Sequence, residues 1–177
     1  KYNDGNIANR PVLAGRLYDG LYAAWRATKV YPITAYTVAW DRREVALPQR
    51  QEVDEAKERA TLANSAASVG ERANAAVEVA WIDRARAGMK TPLSCLHLGP
   101  LRLVNMPGEL FIEYQLAATQ MTSHPVAMAA YGEYGPGYIG TEVSYPQGGY
   151  ETQIHVSRTA PCVEPLLINE LESMLSR

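Results

Sequence analysis

The chain has 177 residues, 47% hydrophobic and 20% charged, which suits one core-bearing domain and excludes a disordered polymer. Lys plus Arg number 17 against 19 Asp plus Glu, a formal net charge of −2, so no basic surplus points to nucleic acid or an anionic membrane surface. No apolar run reaches the roughly 18 residues of a transmembrane segment, and Cys95 and Cys162 are too few for a disulfide framework, though enough for one bridge in an oxidising compartment.

The opening Lys1-Tyr2-Asn3-Asp4-Gly5-Asn6 is rich in turn formers and has neither Met nor a signal segment. It reads as a loop inside a longer polypeptide. Asn9 can cap a helix with Pro11 in its first turn. Leu13, Leu17, Leu21 and Trp25 recur every four residues, which predicts an amphipathic helix over 11–28. Between 30 and 47, Ile33, Tyr36, Val38 and Trp40 are strand formers, and Val45 and Leu47 alternate with polar residues. One or two strands ending at Pro48 follow from that. Residues 52–88 are rich in Ala, Glu and Arg and lack Pro. They predict helices over 53–64 and 71–87, the second burying Ala73, Val77, Ala80 and Trp81 and capped by Gly88. Residues 93–105 read as a hairpin turning at Gly99-Pro100. Met106-Pro107-Gly108-Glu109 then opens a helix over 109–121, with Leu110, Tyr114, Ala117 and Met121 inward. A short buried strand is expected over 126–131, and a helix over 164–175 carrying Leu167, Leu171 and Leu175. The alternation predicts an α/β fold of mixed α+β layers, its strands covered by amphipathic helices. No repeat or linker divides the chain, so 1–177 reads as a single unit.

Glu109 behind Pro107-Gly108 is the first residue with chemical promise. At a helix start the dipole favours its ionised form, which a metal ligand must have. The plain alternative is an ordinary helix-start glutamate. The second signal is the stretch 131–150. It holds Tyr131, Tyr134, Tyr138, Tyr145 and Tyr150, from a total of 11 tyrosines, and six of the 13 glycines. Glycines let a backbone approach a ligand closely, and tyrosines offer a flat apolar body with a polar tip suited to lipid, sugar or peptide. The competing reading is a long loop pinned by tyrosines packing on the core. His97, His124 and His155 show no zinc-ligand spacing. His97 reads as a core residue, His124 as surface, and His155 as a candidate neighbour of the tyrosine loop. No G-x-S-x-G elbow, P-loop or C-x-x-C pair is present.

Leu98-Gly99-Pro100-Leu101-Arg102-Leu103 followed by Met106-Pro107-Gly108-Glu109-Leu110-Phe111 resembles the catalytic domain of the neutral/alkaline non-lysosomal ceramidases. Gly137-Tyr138-Ile139-Gly140-Thr141 resembles that family's Tyr-Ile/Val-Thr-Thr segment, and Tyr145 with Gly149-Tyr150-Glu151 resembles its continuation. The stretches Gly5-Asn6 to Trp25-Arg26-Ala27-Thr28 and Ser157-Arg158-Thr159-Ala160-Pro161 resemble its shorter bacterial members. The resemblance covers nearly the whole chain but only the C-terminal part of that domain.

What the resemblance implies is a zinc-dependent amidase that cleaves the N-acyl bond of ceramide. By it, Glu109 and Tyr138 would be metal ligands, and Tyr150, beside the reacting carbonyl, would be the catalytic residue of this part. Tyr134, Tyr145 and Tyr150 would contact the substrate. The two histidine ligands, a further histidine and arginine, and the active-site serine would precede Lys1, in the missing N-terminal part of the same domain. The isolated chain is then expected to be weakly active or inactive. The connection from Glu109 to Tyr138 is shorter than in the larger ceramidases, and Thr152 to Val156 lacks their Ser-Thr-Tyr-Gly-Pro-like run. Both differences touch the substrate pocket, so the expected substrate is ceramide or a related N-acyl lipid. Secretion, to the outside or the periplasm, is implied by the resemblance alone. The alternative from a different class is a non-catalytic ligand-binding or scaffold module of the same fold.

Overall fold

The computed structural model describes residues 5–132 and 135–176; the turn read over residues 1–4, and Tyr134, lie outside them. The chain forms two compact units, Lys1–Ile33 and Thr34–Arg177. The first is built on α1 (Asn9–Ala27). Its start is one residue earlier than a cap at Asn9 requires, since Ala8 is the N-cap and Asn6 Oδ1 accepts the Ala8 N–H at 3.0 Å. The Leu13, Leu17, Leu21 and Trp25 stripe is present but exposed.

The second unit runs β1 (Val38–Val45), α2 (Glu55–Ala63), α3 (Val69–Arg86), β2 (Thr91–Leu98), β3 (Leu101–Asn105), β4 (Glu109–Leu110), α4 (Ile112–Gln120), β5 (Val126–Ala129), β6 (Tyr138–Ile139), the single turn α5 (Ser144–Gln147) and α6 (Val163–Leu175). This is the mixed α/β arrangement that the alternation predicts. One sheet has the order β1-β2-β3-β5 and the other pairs β4 with β6. β1 and β3 flank β2 antiparallel, while β5 joins β3 in parallel. The hairpin turns at Gly99, whose φ of 55° lies where glycine is favoured.

Local chemistry sets the helix boundaries. Asp54 accepts the Lys57 N–H at the start of α2, and Ser68 with Glu71 makes a reciprocal capping box at the start of α3. Glu55 pairs with Arg59 at 2.8 Å and with Arg86 at 2.7 Å, and Arg59 also pairs with Asp83, tying α2 to α3. One sheet face sends Leu93, Cys95 and Val104 into the core, where they cluster with Tyr114 and Ala118 of α4 and Leu167, Leu171 and Met174 of α6. On the other face Trp40, Leu96, Leu103 and Ala127 align in register, with Trp40 exposed.

Three expectations change. The buried positions of α3 are Ala75, Glu78, Val79 and Trp81, while Ala73, Val77 and Ala80 are exposed. The reason is Glu78, whose carboxylate turns inward to meet Arg158 at 2.9 Å, so an acidic residue sits where an apolar stripe is expected. In α4 the buried pair is Tyr114 and Ala118; Ala117 is half-buried, as are Leu110, which belongs to β4, and Met121, which caps the helix. β5 alternates half-buried with exposed residues because it is an edge strand with one face uncovered. Cys95 is buried and Cys162 exposed, and both are free thiols. No helix among the described residues is long and apolar enough to cross a membrane.

Candidate functional site

Glu109 does not open a helix. Gly108 turns the chain at φ 65°, Glu109–Leu110 is extended as β4, and the helix starts only at Ile112. The dipole expectation therefore falls. Glu109 is instead positioned by strand pairing. β4 lies parallel to β6 with Glu109 opposite Tyr138 and Leu110 opposite Ile139. The Glu109 N–H donates to Gly137 O at 2.9 Å and the Phe111 N–H to Ile139 O at 3.1 Å. Side chains alternate along a strand. Ile139 is thus fully buried, while Glu109 and Tyr138 share the opposite side.

Close backbone approach fixes this crossing. A Cβ on Gly108 would lie 2.6 Å from Gly137 O, and one on Gly137 would lie 2.0 Å from Val156 O. The Tyr138 N–H donates to Val156 O at 3.0 Å, and Gly137 bridges to Ser157. Below them Arg158 accepts Trp81 Nε1 at its carbonyl, 3.1 Å away, and its guanidinium meets Glu78. Tyr114, buried, donates to Gly140 O at 2.9 Å and so holds the end of β6; burial pushes its phenol well above the ordinary range. Gly108 and Gly137 approach the chain's own backbone.

Two phenols converge on the Glu109 carboxylate. Tyr131 Oη donates to Oε2 at 3.0 Å. The Tyr138 phenol faces the same group, whose hydrogen bond and negative charge push it up to about 12. The hydrogen bond to Glu109 raises Tyr131 as well. Both therefore keep their protons at neutral pH; a cation beside them would reverse that sign. Tyr150 completes the cluster from a single 3₁₀ turn, Tyr150–Thr152. Its ring meets Tyr138 edge-on at 6.1 Å and 76°, and it is 61% exposed.

Glu109, Tyr138 and Tyr150 are thus brought together from distant parts of the sequence. Tyr145 is elsewhere in its contacts: its hydroxyl bonds Ser157 Oγ and Thr159 Oγ1, each at 3.1 Å, and Arg50 stacks over its ring at 5.4 Å. Tyr134 lies outside the described residues. His97 is buried in β2, and His155 is exposed. Tyr131 is the functional candidate that sequence reasoning does not single out, because nothing local marks it among five tyrosines.

A zinc ion takes oxygen donors such as a carboxylate, usually with three or four protein ligands. Glu109 and Tyr138 are oxygen donors on one side of one small sheet, which fits half of such a set. Among the described residues no group of three His, Cys, Asp or Glu side chains gathers to form a whole one.

Among solved structures, the chain is similar to neutral ceramidase from Pseudomonas aeruginosa, with a TM-score of 0.43 and 17% identity over 49% of this chain and 15% of that one. It is also similar to a ceramidase complexed with C2, with a TM-score of 0.44 and 17% identity over 49% of this chain and 14% of that one. These are proteins of the family that the sequence motifs resemble. The chain spans about 15% of their length. No protein-family model and no curated protein matches it.

Proposed function

We propose that Glu109, Tyr138 and Tyr150 are part of the site of a zinc-dependent amide hydrolase of neutral ceramidase type. It acts on the N-acyl bond of ceramide or a related N-acyl lipid. The observation that supports this is the register of β4 and β6, which seats a carboxylate beside a phenol at the two positions that the family motifs mark. Zinc, when bound, supplies a Lewis acid and a water acidic enough to attack an amide at neutral pH.

The chain's own residues bind and orient. Glu109 and Tyr138 would hold the metal from one side, and the histidines that the family resemblance implies would complete the set. Tyr150 donates a hydrogen bond to the oxygen that gains charge as the amide carbonyl is attacked. Its exposed ring, packed edge-on to Tyr138, gives the lipid an apolar surface next to the reacting bond. Hydrolysis releases a fatty acid and a long-chain amine.

The test uses the full-length polypeptide loaded with zinc, assayed on an N-acyl sphingosine. Tyr150→Phe is expected to lower kcat by about 10²–10³ with little change in KM. Glu109→Gln is expected to abolish zinc-dependent turnover. Turnover at the wild-type rate in the Glu109→Gln variant overturns the reading. Zinc and lipid binding without hydrolysis by the wild-type protein favours the scaffold alternative.

A further inference from the structure

We infer that Tyr131 is the positioning residue of Glu109: by holding Oε2 it fixes the carboxylate that would bind the metal. The inference rests on the reading of Glu109 as a ligand and adds a residue to it. It starts from a backbone cost. Among the described residues, Tyr131 is the single non-glycine with a positive φ, 59°. Side chains with a Cβ avoid that region unless something over-determines them. The segment around it is pressed onto the Met106–Gly108 turn. The Tyr131 N–H donates to Gly108 O and the Gly132 N–H to Met106 O, both at 2.8 Å. A Cβ on Gly132 would come within 2.7 Å of Met106 O. Left-handed backbone here would ordinarily take Gly or Asn.

Burial does not explain the tyrosine, because the residue is 72% exposed. What its side chain reaches is Glu109 Oε2, at 3.0 Å. A carboxylate on a flexible stem is a broad rotor about its last torsion. Tyr131, two residues past β5, and Tyr138 from β6 approach it from two parts of the chain and restrict that torsion. Outer partners of this kind set ligand geometry, and losing one typically costs 10–100-fold in metal affinity.

The experiment measures zinc affinity of the full-length polypeptide by competition with a chromogenic chelator at neutral pH. Thermal unfolding of the zinc-free protein runs in parallel. Tyr131→Phe keeps the ring and loses the hydroxyl. It is expected to weaken zinc binding at least tenfold while the zinc-free unfolding temperature stays put; a merely structural role would move the temperature and spare the affinity. Tyr131→Gly relieves the backbone and is expected to raise the unfolding temperature yet weaken zinc binding equally. Glu109→Gln, or Tyr138→Phe if the first fails to fold, separates the two levels. If either ligand variant loses zinc while Tyr131→Phe binds like wild type, the positioning role is overturned and the site reading stands. If both ligand variants bind zinc like wild type, the site reading fails and takes the inference with it.

Discussion

Replacing Glu109 by Gln keeps the shape of the side chain and removes its charge. That charge and its hydrogen bond are what push Tyr138 up to about 12 from an ordinary value of 10.0. With Gln, the phenol returns toward the ordinary tyrosine range. Were the whole shift lost, Tyr138 at about pH 11 would pass from roughly one-tenth ionised to roughly nine-tenths, an upper bound because the Gln amide oxygen still accepts a hydrogen bond. Tyr131, raised by the same carboxylate, moves in the same direction. The assay is the absorbance of tyrosinate against pH, read as the variant minus the wild type. The expected difference is an excess of up to roughly eight-tenths of a tyrosinate from Tyr138 in the variant between about pH 10 and 12, with a further contribution of the same sign from Tyr131. Repeating the pair on a Tyr138→Phe background should remove most of it. Stability tracks the same protons. A phenol whose pKa is raised on folding binds more protons folded than unfolded between the two values. Its contribution is therefore complete below pH 10.0 and is lost as pH rises toward about 12. Wild type should lose stability over that window more steeply than Glu109→Gln. Superimposable titration curves for the two proteins would refute the convergence of the phenols on Glu109.

Gly137→Ala places a Cβ 2.0 Å from Val156 O at a φ of 87°; a left-handed alanine and a backbone clash together cost about 2–4 kcal/mol, so Tm should fall by roughly 5–15 °C, and an unchanged melt would place the strand crossing elsewhere. Glu55 is lowered to about 2 by hydrogen bonds from Arg86 and then Arg59. Its contribution is present above the ordinary value of 4.5 and is lost as pH falls through about 2. Glu55→Gln should therefore show a flatter loss of Tm with acid, and a slope equal to wild type would contradict the α2–α3 ion-pair network. Cys162 is exposed and Cys95 buried, with burial pushing the Cys95 thiol up. An aromatic disulfide reagent should consume one thiol quickly in the native protein and the second only on unfolding; two fast thiols would contradict the packing of β2.

Local signals explain where the sequence was readable. The spacing of Leu167, Leu171 and Leu175 suits a helix that buries one face, and α6 does so. Ser68 and Glu71 mark a helix start by chemistry that needs no tertiary partner. Gly99-Pro100 turns the hairpin where two alternating runs meet. Each of these is decided within a few residues. The failures share the opposite property. Glu78 looks like a solvent-facing residue because its partner, Arg158, is far along the chain. Once that pair is buried, the whole apolar stripe of α3 rotates with it, leaving Val77 outside.

The site repeats this pattern on a smaller scale. Pro107-Gly108-Glu109 has the composition of a helix start, and helix does follow, but three residues late. The delay exists because Glu109 and Leu110 are claimed first by Tyr138 and Ile139. A parallel pair two residues long has too little length to show as alternation, so no window on either strand reveals it. The glycines carried a real signal. They permit close approach, and at Gly108 and Gly137 what approaches is another stretch of the same backbone. That packing is nonetheless what lets one carboxylate and two phenols meet. A substituent on Gly108 would press β4 away from the Gly137 carbonyl, and one on Gly137 would press β6 away from Val156. Gly108 and Gly137 let β4 and β6 sit where sequence keeps them apart, and Tyr131, Tyr138 and Tyr150 gather on the side of that pair opposite the buried Ile139.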